Sequence, residues 1–481
     1  MTSDPQSDPV LPPGWRESDR FVPRTFVQPA LSFFRLEASG GILMLIAAVV
    51  ALAWANSPIG DSYFTIFEST IEISFGGYHF HHLSELTVQE WINDAAMVIF
   101  FFVVGLEIKR EVVVGDLRDP RAAALPAIAA LGGMVVPAAI YLLFNVGGDY
   151  AHGWGIPMAT DIAFAVGVVS MVGSRVPVGA KLFLLALAIV DDVGAIAVIA
   201  LVYTTELAMG WLLAAVAGLV AVWGMNRAGI RALPAYLIVG TFVWLAVLES
   251  GVHATIAGVA LALLTPVTSH YSPRLFAPRA EQLTARIDNY LPDSDSLDEV
   301  DHHTKERVTG LVTDLRRLAT ETVPPLDRTE HALAPWSSYV VVPIFALANA
   351  GVVIDAGALG GLVSDPVTLG VALGLVVGKF VGVFGFAWMA VRTGLGRLPH
   401  FTTWTHVAGL ALLAGIGFTV ALFVASLAFE DPAAADAAKI GIFAGSLVAG
   451  LLGFGLLRWF APGRDQLDAD RDYVPDAEQV H

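Results

Sequence analysis

The sequence LAIVDDVGAIAV, residues 187–198, places two adjacent carboxylates, Asp191 and Asp192, in the middle of an apolar segment. No other charged residue occurs between Leu182 and Val202. An ionisable group at the centre of a bilayer costs at least about 2.5–3.5 kcal/mol on insertion scales, so such groups face a protein interior, pair with each other or line an ion path. The segment therefore predicts a membrane-embedded site for charge.

The composition is that of a polytopic membrane protein. Of the 481 residues 56% are hydrophobic and only 15% are charged, whereas a soluble domain carries about 25% charged residues. The absence of cysteine excludes disulfides, Cys-ligated metals and thiol catalysis. No Walker motif and no nucleophile–base pair occur in the apolar segments, which argues against an ATP-driven pump and an enzyme. The net charge of −17 is spread over tails and loops, and we predict no nucleic-acid partner.

Hydropathy predicts an all-α integral membrane protein with about 12 transmembrane helices, because a segment of 17–25 apolar residues can cross about 30 Å of hydrocarbon. The predicted segments are 39–57, 88–108, 122–144, 155–173, 182–203, 211–225, 233–249, 252–266, 335–353, 366–391, 404–427 and 438–459. They divide the chain into an N-terminal tail (1–37), helices 1–8 (38–266), a cytoplasmic insertion loop (267–334), helices 9–12 (335–460) and an acidic tail (461–481).

Positive charges predict the orientation of these segments. All of the 27 Lys and Arg residues except Lys379 and Lys439 fall on one side of a strictly alternating twelve-helix arrangement. Cytoplasmic loops carry the excess of Lys and Arg, so both termini are predicted to be cytoplasmic. Lys439 lies at a segment edge, where its side chain can snorkel, whereas Lys379 lies deep in segment ten.

Three acids, Asp161, Asp191 and Asp192, share the middle of the membrane with one base, Lys379. A buried ion pair that only joins helices is one interpretation, but it leaves carboxylates in excess. Such an excess favours a cation or proton site, and carboxylate oxygens suit a hard cation such as Na⁺ or Li⁺. Neighbouring side chains on a helix point about 100° apart, so one acid of the pair can face a cavity while the other faces a helix.

Two segments are interrupted at corresponding positions. Segment four contains GIPMATDIAF (155–164) and segment eleven contains LLAGIGFTVAL (412–422). Gly and Pro free backbone groups that need partners inside the protein or in a water-filled cavity. Ordinary kinks are one interpretation. However, each segment is the second of a triplet, 3–5 or 10–12, which predicts two discontinuous helices within inverted-topology repeats.

Six motifs in order resemble the bacterial NhaA-type Na⁺/H⁺ antiporters. They are FFVVGLEIKRE (101–111), MATDIAFAVG (158–167), LAIVDDVGAIAV (187–198), SGVHATIAGV (250–259), FALANAGV (345–352) and AGIGFTVALFVASLAF (414–429). That family is itself an example of inverted-repeat transporters. The resemblance implies an electrogenic, pH-regulated exchange of cytoplasmic Na⁺ or Li⁺ for external protons, with no cofactor. It also implies a multi-pass protein of the bacterial plasma membrane that forms a homodimer.

The resemblance assigns roles to the buried charges. Asp192 is the expected principal carrier of the cation and proton, Asp191 its titrating partner and a second Na⁺ ligand, and Lys379 the charge partner of Asp191. Thr160 and Asp161 correspond to the point where unwound segments meet, where Asp161 would offset the positive ends of helix dipoles.

The resemblance also implies a regulatory set of residues. The residues linked to the pH response are Glu107, Lys109, Arg110, Glu111, Glu330, His331 and, as a modulator, His253. Two departures put the pH profile in doubt: Phe380 follows the buried lysine where Pro is frequent in the family, and Ala334 stands where a second histidine is expected.

Two further features lie outside the apolar segments. The stretch IEISFGGYHFH within 64–81 predicts a small extracellular β-hairpin, which in the family contributes to dimer contact. The long loop 267–334 is a solvated linker or a regulatory insertion with an amphipathic helix over 305–320. Two other functions are open: a sodium-coupled symporter of a small anion, and a transport-dead sensor subunit whose only support is this loop.

Overall fold

The computed structural model is almost entirely helical. The residues that it describes are 39–71, 74–75, 78–79, 86–204, 207–230, 233–290, 301–353 and 365–462. The tail 1–37, nearly all of 461–481 and most of the acidic run DSDSLDEVD (293–301) lie outside them. Ser74–Phe75 (β1) pairs antiparallel with Tyr78–His79 (β2), and the two glycines between the strands lie outside the described residues.

The first part of the chain, up to residue 264, contains the three buried acids Asp161, Asp191 and Asp192. Its helices are α1 (Ser39–Ala55), α2 (Gly60–Phe67), α3 (Val88–Trp91), α4 (Met97–Val113), α5 (Pro120–Asn145), α6 (Ile162–Val172), α7 (Val178–Val202), α8 (Met209–Arg227), α9 (Leu233–Glu249) and α10 (Thr255–Leu264). A π-helical turn, Ile92–Ala96, joins α3 to α4, and a 3₁₀ helix, Ala151–Met158, precedes α6.

The second part contains the buried lysine and the other interrupted segment. Its helices are α11 (Pro273–Asp288), α12 (His302–Thr322), α13 (Pro325–Trp336), α14 (Val342–Asn349), α15 (Pro366–Leu373), α16 (Lys379–Arg392), α17 (Trp404–Leu413), α18 (Phe418–Ala428) and α19 (Pro432–Trp459). π-Helical turns join α13 to α14 (Ser337–Val341) and α15 to α16 (Gly374–Gly378). π-Helical turns are rare in proteins overall, and those that occur often lie at functional sites.

The helices agree with a polytopic membrane protein. In the described part of the chain eight helices are long and apolar enough to cross a membrane, and ten if each of two bent helix pairs is one span. Two shorter apolar helices, Pro234–Glu249 and Thr255–Leu264, correspond to predicted segments seven and eight. All twelve predicted segments therefore contain helix, while the number of twelve spans stays a prediction.

Local signals explain where several helices begin. Asp119, Asp365 and Asp431 each precede a proline, and each accepts a backbone N–H from the first turn of the helix that follows. The first backbone N–H groups of a helix have no acceptor within the helix, and a side-chain oxygen at the N-cap accepts one of them. Proline fits the first helical position because it has no N–H group that needs an acceptor.

The loop 267–334 contains a helical hairpin of α11 and α12. The backbone N–H groups of His270 and Tyr271 donate to Glu321 O, 3.0 and 3.2 Å away, so the ends of the hairpin meet. The predicted amphipathic helix lies in α12, with Leu318 buried, although the apolar Val312 is 49% exposed. α13 follows the hairpin and packs through buried Leu326, whose N–H donates to Pro266 O.

Helices α5 and α16 cross in contact at small residues. A Cβ built on Gly382 would overlap Gly132 O and lie 2.6 Å from Gly132 C. A Cβ on Gly378 would lie 2.7 Å from Pro137 Cα. Small residues let backbones approach this closely in membrane proteins. The crossing places the first residue of α16, Lys379, next to Gly133, whose Cβ would lie 3.7 Å from Lys379 Cδ.

We expect Gly382→Ala to lower thermal stability. The added methyl would meet backbone atoms, which cannot rotate away, and overpacking costs about 1–3 kcal/mol. The control is Gly385→Ala on the same helix, because no atom of the described residues lies within 4 Å of the Cβ built there. The melting temperature (Tm) of the solubilised protein measures the effect. Equal Tm values for the two variants would contradict the proposed role of this crossing.

Candidate functional site

The two interrupted segments meet inside the protein. The 3₁₀ helix ends at Met158 and α6 begins at Ile162. The second pair, α17 and α18, is bent by 43° around residues 414–417. Asp161 N donates to Ile416 O at 2.6 Å, and the Thr160 hydroxyl donates to Ala414 O at 2.8 Å. The predicted interruptions are therefore real breaks, and we call residues 159–161 together with 414–417 the break contact.

Asp161 caps two helices at the break contact. Its Oδ1 accepts from Phe164 N at 3.1 Å and caps α6. Its Oδ2 accepts from Thr419 N at 3.1 Å and from the Thr419 hydroxyl, in the first turn of α18. A carboxylate suits both helix N-termini because these carry partial positive charge. Thr419 lies within the interrupted stretch 412–422, and the sequence does not indicate it as the partner of Asp161.

Lys379 and Asp191 form a fully buried ion pair. The distance from Lys379 Nζ to Asp191 Oδ2 is 2.7 Å, and both side chains are inaccessible to solvent. Lys379 Nζ also donates to the Thr160 hydroxyl at 3.0 Å, which ties the pair to the break contact. The other oxygen, Asp191 Oδ1, is buried and has no hydrogen-bond partner among the described residues. The pairing predicted by resemblance is present.

Asp192 differs from its neighbour. It is 6% exposed, and within the described chain it makes no hydrogen bond and no ion pair. The negative charges of Asp191, Glu107 and Asp161 act on it together with the positive charge of Lys379. Its carboxylate is therefore the member of the Asp191–Asp192 pair that has no hydrogen bond or ion pair among the described residues.

The predicted regulatory residues separate into two groups. Arg110 Nη1 lies 2.5 Å from Glu330 Oε1, and Arg110 Nε lies 3.9 Å from Glu111 Oε1. The charge of Glu107 interacts with these three residues. The structure therefore brings Glu107, Arg110, Glu111 and Glu330 together between α4 and α13, and we call them the α4–α13 charge cluster.

The other basic residues of this set have different contacts. Lys109 Nζ donates to Leu263 O at 2.7 Å and to Thr265 O at 2.5 Å, at the C-terminus of α10. Lysine side chains commonly satisfy carbonyls there. His331 is exposed, and its Nδ1 lies 3.1 Å from Asp327 O, one turn earlier in its own helix.

His253 lies between α4 and the broken segment α17–α18. Its Nε2 is 4.0 Å from Asp94 Oδ1, in the π-helical turn Ile92–Ala96. Its ring stands edge-on to Phe423 of α18, with centroids 5.2 Å apart. It therefore contacts the broken helix α18 directly.

Comparison with known proteins gives a consistent result. The family described as Na⁺/H⁺ antiporter 1 matches residues 31–457. The Na⁺/H⁺ antiporter NhaA of Oleidesulfovibrio alaskensis is 45% identical over 438 residues, which cover 91% of this chain and 95% of that protein. That of Rhodopirellula baltica is 44% identical over 437 residues, which cover 91% and 95% respectively. With the broken helices and buried acids that the structure shows, these matches establish that the chain belongs to the Na⁺/H⁺ antiporter 1 family.

Proposed function

We propose that the chain is a secondary active antiporter that exchanges cytoplasmic Na⁺ or Li⁺ for external H⁺. The observation that carries this proposal is Asp192, a buried carboxylate without a partner among the described residues, beside the neutralised pair Asp191–Lys379. The relatives are named as Na⁺/H⁺ antiporters and not as enzymes, which supports transport in place of catalysis.

Competition at the carboxylates couples the two flows. Asp192 binds either a proton or a cation, and a carboxylate oxygen is the ligand that a hard cation prefers. The described residues contain no group of three His, Cys, Asp or Glu arranged to hold a metal ion, so backbone carbonyls, the Thr160 hydroxyl or water would complete the shell of a transported Na⁺. No cofactor takes part in this mechanism.

Displacement of Lys379 from Asp191 gives the exchange a second proton, which leaves the lysine. A cation that recruits Asp191 must displace Lys379 Nζ, which now lies 2.7 Å from it. A lysine displaced into an apolar interior favours losing its proton. Two protons would then move against one cation, and the exchange would be electrogenic and driven by the membrane potential.

The fold supports alternating access between the two sides. We propose twelve spans in which helices 3–5 and 10–12 form inverted repeats, with the break contact at their centre. The protein would lie in the bacterial inner membrane with both termini cytoplasmic. The insertion 267–334 would be cytoplasmic and outside the transport path. The strand pair β1–β2 would be an extracellular hairpin at the contact of a homodimer.

Everted membrane vesicles from cells without other antiporters test the exchange. The lumen is acidified, salt is added at several pH values, and a ΔpH dye is followed. We expect NaCl or LiCl, but not choline chloride, to release protons. Efflux that requires an added organic anion would indicate the sodium-coupled symporter. No efflux with Na⁺, Li⁺ or K⁺ at any pH, with the protein correctly inserted, would favour the sensor subunit.

We further propose that the α4–α13 charge cluster sets the pH response. Arg110→Glu and Glu330→Arg should each displace the midpoint of the pH–activity profile, because each places like charges where the structure has a 2.5 Å ion pair. The double variant should return the midpoint towards the native value. The control is the ion pair Arg317–Glu321 of α12, whose arginine is 70% exposed and which we exchange in the same way. A double variant that stays displaced would contradict the assignment.

A further inference from the structure

A cavity of about 750 Å³ opens beside the core of the protein, away from the break contact. Its walls come from the first turns of α5 and α7 and from the loop that follows α16. These three elements carry Lys and Arg residues of the predicted cytoplasmic face, so we place the cavity at the cytoplasmic edge of the bilayer. We call it the rim cavity.

The rim cavity is positively charged. Arg121 and Arg397 line it, and neither makes an ion pair with any residue that the structure describes. The carboxylate that also lines it, Asp119, accepts Arg121 N at 3.0 Å as the N-cap of α5. The N-terminus of α7 has no side-chain cap at Pro177. Two guanidinium groups against one engaged carboxylate, beside two helix N-termini, favour an anionic ligand.

The remaining walls are apolar. Leu125 and Phe183 are buried and form the inner surface. Leu182 and Leu395 are 45% and 62% exposed and lie among the lining residues with the two arginines. A free inorganic anion would use the arginines but gain nothing from the leucines. A ligand with an anionic head and an apolar body would use both.

Close packing holds the loop after α16 against the two helices. A Cβ on Gly396 would lie 2.8 Å from Leu125 Cβ, and one on Gly179 would lie 2.9 Å from His400 O. The backbone position of Arg397 relative to that of Arg121 is therefore set by the fold.

We propose that the rim cavity binds the phosphate headgroup of an anionic phospholipid of the cytoplasmic leaflet. Arg121 and Arg397 hold the phosphate, and Leu182 and Leu395 contact the glycerol and upper acyl chains. Basic pockets between membrane helices on this side recognise such headgroups. The bound lipid joins the ends of α5 and α7 to the loop after α16 and so stabilises the folded protein. The proposal is independent of antiport.

The test measures Tm of the purified, delipidated full chain in detergent. Phosphatidylglycerol should raise Tm, whereas phosphatidylcholine and inorganic phosphate should not. Arg121→Gln with Arg397→Gln should weaken the effect of phosphatidylglycerol by roughly 10- to 30-fold in lipid concentration, from the loss of two basic groups near a membrane surface. The double variant Arg121→Lys with Arg397→Lys keeps both charges and should retain most of the Tm increase caused by phosphatidylglycerol. This Lys variant tests the proposal if the Gln variant does not fold.

The matched control removes two other arginines of the same face, Arg227 and Arg392, by substitution with Gln. They lie over the rings of Trp223 and Trp388, at 5.3 and 5.8 Å, and do not line the rim cavity. The control should respond to phosphatidylglycerol as the native chain does. Equal weakening in the control, an equal response to phosphatidylcholine, or a full response to inorganic phosphate would overturn the proposal. Tm is read without transport, so this outcome is separate from the vesicle assay.

Discussion

Replacing Asp192 by asparagine is expected to reduce Na⁺-driven proton efflux to the level of vesicles without the protein, and to leave Tm unchanged or raised. Transport is lost because an amide neither carries a proton nor neutralises a cation. Stability is kept because Asp192 has no hydrogen bond or ion pair to lose among the described residues, and its negative charge lies near those of Asp191, Glu107 and Asp161. Removing one of several like charges relieves repulsion.

Both readouts are needed for this prediction. Efflux from everted vesicles measures exchange, and thermal unfolding of the solubilised protein measures folding. Asp191→Asn is the contrasting variant, because it removes the partner of Lys379 and should lower Tm. If Asp192→Asn keeps antiport, the Asp192 carboxylate is not the principal exchange site. If Asp192→Asn lowers Tm as much as Asp191→Asn does, Asp192 has a structural role.

Lys379→Met is expected to destabilise the protein by about 3–5 kcal/mol, the usual cost of removing one partner of a buried ion pair. The cost is large because the carboxylate of Asp191 stays buried at full charge and Thr160 loses a donor. We expect Tm to fall by at least about 5 °C, given how Tm changes with free energy in large domains. Methionine has a similar length and an unbranched stem, so the loss of packing is small.

A second substitution separates charge from packing in this experiment. Adding Asp191→Asn to Lys379→Met should recover most of the lost Tm, since replacing both partners of a buried pair is often nearly neutral. The double variant should still fail to move more than one proton per cation. Failure of the double variant to recover would indicate that Lys379 acts through packing at the crossing of α5 and α16, and not through its charge.

The sequence was sufficient to predict the membrane helices and the location of the charged site. Apolar length is a strong signal, and each predicted segment contains helix. The adjacent acids of segment five could be recognised because nothing except function or pairing offsets their burial. The breaks near Thr160 and near Gly415 and Gly417 could be recognised because Gly and Pro interrupt apolar helices.

Contacts between distant residues could not be predicted in the same way. Sequence alone does not show that Thr419 donates to Asp161, because the two residues are 258 positions apart. Lys109 was grouped with Arg110 by resemblance, but adjacent residues on a helix point in different directions, and Lys109 contacts α10 instead. The π-helical turn Gly374–Gly378 that precedes Lys379 has no sequence signal that we could use.

The shared carboxylate of Asp161 limits where the protein can bend. Its oxygens accept from both α6 and α18, and its own N–H donates to Ile416 O. Any rotation of one broken segment relative to the other would leave these buried groups without partners, at about 1–3 kcal/mol for each group. The break contact is therefore a poor hinge. We expect the two broken segments to move together during transport and to slide against other helices, at contacts such as the one between Phe423 and His253.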